Sequence, residues 1–181
     1  VVQDLLTLAR RGVVVTEVVN LNDVIAEYLK SPEYEKLQSY HRAVHLEAHL
    51  QKDVLNILGS STHLSKTVMN LVSNAAEAMP DGGKLTVSTE NRYIDRPIRG
   101  YDDVKEADYV VLTISDTGTG ISTDDLEKIF EPFYTTKGQG KGTGLGLAHS
   151  SQIMERHSGK LQLDHSSSNT KFDMIFVAIQ E

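Results

Sequence analysis

Residues 61–83 read STHLSKTVMNLVSNAAEAMPDGG, and Leu85, Val87 and Thr89 then change the period from helical to alternating. Leu64, Val68, Leu71, Val72, Ala75 and Met79 recur at three- and four-residue intervals, so the spacing predicts an amphipathic helix over Ser61–Met79 with one apolar stripe. Pro80-Asp81-Gly82-Gly83 stops it. Such a stripe must be covered, and the flanking segments offer a sheet. Val44, Leu46, Ala48 and Leu50 alternate with His45, Glu47 and His49, and Val110, Leu112 and Ile114 form a strand pattern that stops at Asp116. Two more strands are expected at Leu161–His165 and Lys171–Ile179, after a helix from Gly144 to His157. An earlier helix follows Asn22 with Val24, Ile25, Tyr28 and Leu29, and Pro32 is expected to interrupt it. The polar stretch Asn91–Asp108 reads as a long hairpin connection. Helices interleaved with hairpin-connected strands predict an α+β fold. The expected form is a two-layer α/β sandwich, with a mixed, mostly antiparallel sheet covered on one face by helices.

The chain has 181 residues, enough for a single domain with a short attachment. It has no cysteine, which excludes disulfides, thiolate zinc sites and cysteine nucleophiles. Eighteen basic against 25 acidic residues give a net charge of −7 and argue against a nucleic-acid binder, which needs a basic face. No apolar run approaches the roughly 20 residues that span a bilayer. Val1 to Arg11 read as the last turns of a helix stopped by Gly12, and the chain is expected to be a piece of something longer. His41, His45 and His49 would make a metal face only on a helix. The alternation puts them on or beside a strand, as surface side chains.

Glycines alternate through Gly138-Gln139-Gly140-Lys141-Gly142-Thr143-Gly144-Leu145-Gly146, directly before an apolar helix. Close backbone approach and a helix N-terminus together favour an anion, most naturally phosphates. The P-loop pattern fails, because the Gly-Lys pairs are followed by Leu85, Gly142 and Leu161. The dinucleotide fingerprint fails too, since Leu145 and Leu147 stand where its last glycine belongs. At a strand end, Asp116-Thr117-Gly118-Thr119-Gly120 places an acceptor-only carboxylate that would welcome adenine's amino group and repel guanine's oxygen. Asn70 and Asn74 share one helix face although asparagine disfavours helix interiors, by up to about 0.7 kcal/mol against alanine. An amide oxygen there suits Mg²⁺, which keeps waters and takes its other ligands from substrate phosphates. Between the two glycine clusters, some 25 residues from Thr117 to Lys141 carry little periodicity, as functional loops do.

Taken in order, Asn70-Leu71-Val72-Ser73-Asn74-Ala75 resembles the N box of sensor histidine kinases, and Asp116-Thr117-Gly118-Thr119-Gly120 their G1 box. Phe130-Glu131-Pro132-Phe133-Tyr134-Thr135-Thr136-Lys137 resembles the F box, and Gly142-Thr143-Gly144-Leu145-Gly146-Leu147 the G2 box. The resemblance, over roughly residues 20–180, is to the catalytic ATP-binding domain of the gyrase/Hsp90/histidine kinase/MutL superfamily. The run Asn74 to Gly83 is most similar to the nitrogen-regulation type. The resemblance implies ATP and Mg²⁺ as cofactors. Asn74 would ligate the metal and Asn70 line the phosphates. Asp116 would read adenine, with Gly118 and Gly120 giving the base room beside Ile121. Phe130 and Phe133 would anchor a mobile lid (about Thr123 to Lys141) and pack in the core. Thr136, Lys137 and Lys141 would approach the phosphates from the lid, and Gly142, Thr143, Gly144, Leu145, Gly146 and Leu147 would wrap them. Thr170 would offer a hydroxyl near adenine. Ser60 and Ser61, where the family often has an aspartate, read as helix caps.

ATPases and serine kinases of this superfamily carry a glutamate four residues before the metal asparagine. Here Asn70 stands there, an amide that takes no proton at neutral pH. The resemblance therefore implies a histidine kinase, with Asn70, Asn74 and Lys137 as the catalytic set. None of the seven histidines precedes an acidic residue, as the phosphoacceptor histidine of the family does. Residues 1–19 resemble the end of the second helix of a dimerisation and phosphoacceptor domain with its linker, and residues 20–181 the catalytic domain. Expected partners are that phosphoacceptor domain in the parent chain and a response-regulator receiver. The fragment is expected to be a cytoplasmic monomer cut from a homodimeric parent, whether or not that parent is attached to a membrane. A nucleotide-sensing module and a water-splitting ATPase are the competing readings.

Overall fold

The computed structural model of the chain describes residues 16–94, 106–137, 142–164 and 169–179. The expected N-terminal helix over Val1–Arg11 lies outside them, as does Lys141. The chain opens with strand β1 (Glu17–Val19), helix α1 (Leu21–Leu29) and helix α2 (Pro32–Tyr40). Strands β2 (Val44–Leu50) and β3 (Ile57–Gly59) lead to helix α3 (Ser61–Glu77). Strands β4 (Gly83–Ile94) and β5 (Ala107–Asp116) follow, then helix α4 (Gly146–Arg156) and strands β6 (Lys160–Leu163) and β7 (Thr170–Val177).

Five strands form one sheet in the order β2-β4-β5-β7-β6, and only β2 and β4 run parallel. The parallel pair is joined across the sheet by α3, the crossover that parallel strands need. The stripe of α3 packs on the sheet as its spacing requires. Leu64, Val68, Leu71 and Val72 are buried in one cluster with Leu85, Val87, Val110, Leu112, Phe172, Met174 and Phe176. The predicted two-layer α+β sandwich, a mixed sheet with helices on one face, is the observed fold. A smaller cluster of Ile94, Tyr109, Val111 and Ile175 occupies the other face.

Three local features differ from the sequence expectations. Pro32 does not merely interrupt a helix. It occupies the first turn of α2 behind the N-cap Ser31, where its fixed φ fits and its missing N–H is not needed. The strand pairing of β4 with β5 extends from Leu85↔Asp116 to Ile94↔Ala107, so the connection between them is shorter than Asn91–Asp108. Strands β1 and β3 pair antiparallel as a separate two-stranded sheet, and three residues each are too short to show a period. Ser60 is the N-cap of α3, its hydroxyl accepting from the His63 N–H. His45 and His49 are exposed on β2, His41 caps α2, and no cluster of metal-ligating side chains occurs among the described residues.

Candidate functional site

Three chain segments meet beyond the ends of β5 and β7: one side of α3, the segment after Asp116, and the start of α4. Between them lies a cavity of about 1060 Å³, the size of a small-molecule site. Its floor is apolar, with Leu71, Ile114, Ile121, Ile129, Leu147 and Phe172. Its polar wall carries Asn70, Asn74, Asp116, Thr136, Lys137, Thr143 and Thr170.

Asp116 ends β5 directly opposite Thr170 on β7. It is 4% exposed, and its Oδ1 accepts the Gly118 N–H at 2.9 Å. Burial pushes its carboxyl up from the ordinary range, against the lowering effect of bonds from Gly118 and the Thr170 hydroxyl. A buried carboxylate that still lines a cavity has acceptor capacity to offer a ligand. Gly118 does not border the cavity. A side chain there would lie 2.5 Å from the Ala78 carbonyl oxygen, so glycine is required for the strand end to pass the C-terminus of α3. Gly120 does border it, and its position is open.

On α3, Asn70 and Asn74 share the cavity face, as their four-residue spacing requires. The Asn70 amide donates towards Gly146 O at 3.5 Å and the fully buried Ser150 hydroxyl at 3.4 Å, tying α3 to the first turns of α4. Asn74 Oδ1 accepts from Lys137 Nζ at 3.2 Å, and the same ammonium pairs with Glu77. Lys137 thus reaches back from the loop onto α3. Helix α4 starts at Gly146 with no side-chain cap bond, so its first amides are left for a ligand or solvent beside the cavity.

The glycine run does two different jobs. Gly144 has φ +65, and a side chain there would lie 2.3 Å from the Phe133 carbonyl carbon. The Phe133 N–H donates to Gly144 O at 2.9 Å, so this glycine joins the Phe130–Lys137 segment to the start of α4. Gly142 is similarly crowded by Thr135, whereas Gly146 faces open space. Leu145 is buried outside the cavity lining. Phe130 packs edge-on against Phe172 at 6.3 Å. Phe133, expected in the core, is instead 62% exposed at φ 68, because its backbone rather than its ring makes the contact with Gly144.

A profile of the family described as "Histidine kinase-, DNA gyrase B-, and HSP90-like ATPase" matches residues 59–179. The chain belongs to that family. It is 38% identical over 164 residues to the sensor kinase CckA of Brucella abortus, covering 90% of this chain and 17% of the relative. To sporulation kinase A of Bacillus subtilis it is 33% identical over 179 residues, covering 97% of this chain and 26% of that protein. The solved catalytic domain of the histidine kinase ThkA superposes with a TM-score of 0.70 at 27% identity, over 90% of this chain and 95% of that one. The chain thus carries the ATP-binding catalytic domain of sensor histidine kinases and spans under a third of the length of these two curated relatives.

Within this ATPase domain, two cavity residues, Glu77 and Asp125, and one outside its lining, Ser150, were not singled out from the sequence. Glu77 pairs with Lys137, Ser150 holds Asn70, and Asp125 accepts from Ser122 and from the Tyr134 hydroxyl across the loop. These bonds hold the Asp125 carboxyl below its usual range and the Tyr134 phenol above its own. Only Glu77 had a readable signal, since it lies three residues after Asn74 and must share its helix face.

Proposed function

We propose that the domain binds ATP with Mg²⁺ and transfers the γ-phosphoryl group to a histidine in a separate phosphoacceptor domain of its parent chain. Adenine lies on the apolar floor with its amino group donating to Asp116, whose place is kept by Gly118 and Thr170. The triphosphate runs towards the uncapped start of α4 and Lys137. The residues present fit a hard cation. Asn74 Oδ1 faces the cavity and already accepts from a positive group, the Lys137 ammonium. When bound there, the metal supplies neutralisation of the phosphate charge.

The chain's own part in the reaction is positioning. An imidazole nitrogen supplied from outside attacks the γ-phosphorus in line, the bond from that phosphorus to the bridging oxygen breaks, and ADP leaves. The observation that carries a kinase rather than an ATPase is Asn70. A water-splitting relative needs a base at this place, and here a neutral amide is spent on Gly146 and Ser150. The run Asn74 to Gly83 supports the nitrogen-regulation type, and a response-regulator receiver would take the phosphoryl group onward. No described helix is long and apolar enough to cross a membrane, and we place the domain in the cytoplasm.

The test is incubation with γ-labelled ATP and a separately made phosphoacceptor domain from a related kinase. Acid-labile, base-stable label on that domain is expected. Steady phosphate release with no labelled acceptor would favour the ATPase, and ATP binding with neither outcome a nucleotide-sensing module.

A further inference from the structure

Among the described residues lining the cavity, Glu77, Asp116 and Asp125 are acidic and Lys137 alone is basic. Asp116 lies at the end assigned to the base, so its charge is used. Glu77 has no such role. It sits one turn after Asn74, on the wall assigned to the phosphates, where a bare carboxylate would repel a triphosphate. A carboxylate is tolerated beside phosphates when a cation lies between them.

The side chains already display such an arrangement. Asn74 Oδ1 and a carboxylate oxygen of Glu77 converge on one positive atom, Lys137 Nζ. The helix dictates this convergence, since residues three apart project from the same face. An amide oxygen and a carboxylate oxygen around one positive centre form a donor set of the hard kind that Mg²⁺ takes, leaving its other positions to water and phosphates. The side chains of the Lys137–Glu77 pair are 35% and 41% exposed, so it is a weak interaction and easily exchanged.

We propose that Glu77 is a second protein ligand, beside Asn74, for the divalent cation that accompanies the nucleotide, and that Lys137 yields this place to the metal and turns to the phosphates. The proposal rests on the ATP reading above and adds a carboxylate to its metal site.

The test is calorimetric titration of ATP into the chain, once with Mg²⁺ and once with chelator, for wild type, Glu77→Gln and Glu77→Asp. Wild type gains affinity with Mg²⁺. In Glu77→Gln that gain shrinks by about tenfold or more, while metal-free affinity rises, because a negative charge has left the phosphate wall. Glu77→Asp keeps the charge and recovers part of the gain. Equal gains from Mg²⁺ in wild type and Glu77→Gln would overturn the proposal and leave Glu77 as a partner of Lys137 only. No ATP binding by wild type under either condition would instead sink the ATP reading itself. Matching thermal midpoints establish that all three proteins are folded.

Discussion

Replacing Asp116 with asparagine separates recognition of the base from the rest of the site. The carboxylate accepts from the Gly118 N–H at 2.9 Å and from the Thr170 hydroxyl, and in our account also from adenine's amino group. Asparagine has one acceptor oxygen and one donor nitrogen in place of two acceptors. With its oxygen on Gly118, its NH₂ meets the adenine amino group. Turned over, it opposes Gly118 instead. Either way a buried donor goes unmet and a charge-assisted bond is lost, together about 2–3 kcal/mol. ATP binding should therefore weaken by about 30- to 150-fold. The same NH₂ can donate to guanine's oxygen, so affinity for GTP should not fall and the preference for ATP narrows. Folding gives an independent check. Because burial raises the Asp116 pKa, the folded chain holds that proton more tightly than the unfolded one. Stability therefore declines as pH rises from the ordinary carboxylate value through the raised one, and the full cost is present at neutral pH. Asparagine removes it, so the melting temperature should not drop. In wild type, ATP affinity should fall on acidification at a higher pH than an ordinary carboxylate would give, relative to the variant. Calorimetric titration with Mg-ATP and Mg-GTP reads the first two effects. Unchanged ATP affinity in a folded variant, or equal ATP and GTP affinities in wild type, would refute the assignment.

Other expectations follow from packing and from the loop. Leu64→Ala removes a fully buried side chain from the stripe of α3 and should cost about 2–5 kcal/mol, read by urea unfolding. Gly144→Ala forces a side chain onto the Phe133 backbone at a positive φ. About 1–3 kcal/mol of destabilisation is expected from that strain, with weaker ATP binding because the F-box segment shifts from the start of α4. Amides from about Thr123 to Lys137 should exchange quickly without nucleotide and slow when Mg-ATP is added. Uniformly slow exchange without nucleotide would contradict a mobile lid.

What could be read from the sequence was whatever repeats locally. The stripe of α3, the alternation of β2 and the stop of β5 at Asp116 each span several residues and appear where the pattern puts them. Strands β1 and β3 did not show, because pairing between residues some 40 apart, not local period, makes them strands. Pro32 misleads because the residue that breaks a helix interior is favoured at a helix start. At the site, the sequence placed Asn70, Asn74, Asp116, Lys137 and Thr170, and all five border one cavity. It could not show that Lys137 reaches back 63 residues to Asn74, or that Ser150 holds Asn70 from another helix. Phe133 was misplaced because a hydrophobic residue in a motif reads as core, while here its backbone makes the structural contact.

The most direct test is a crystal structure of the chain with Mg²⁺ and a non-hydrolysable ATP analogue. The account predicts the adenine amino group within hydrogen-bonding distance of Asp116 and the metal on Asn74. The phosphates should run between the start of α4 and Lys137. A nucleotide bound elsewhere, or with its base away from Asp116, would contradict it.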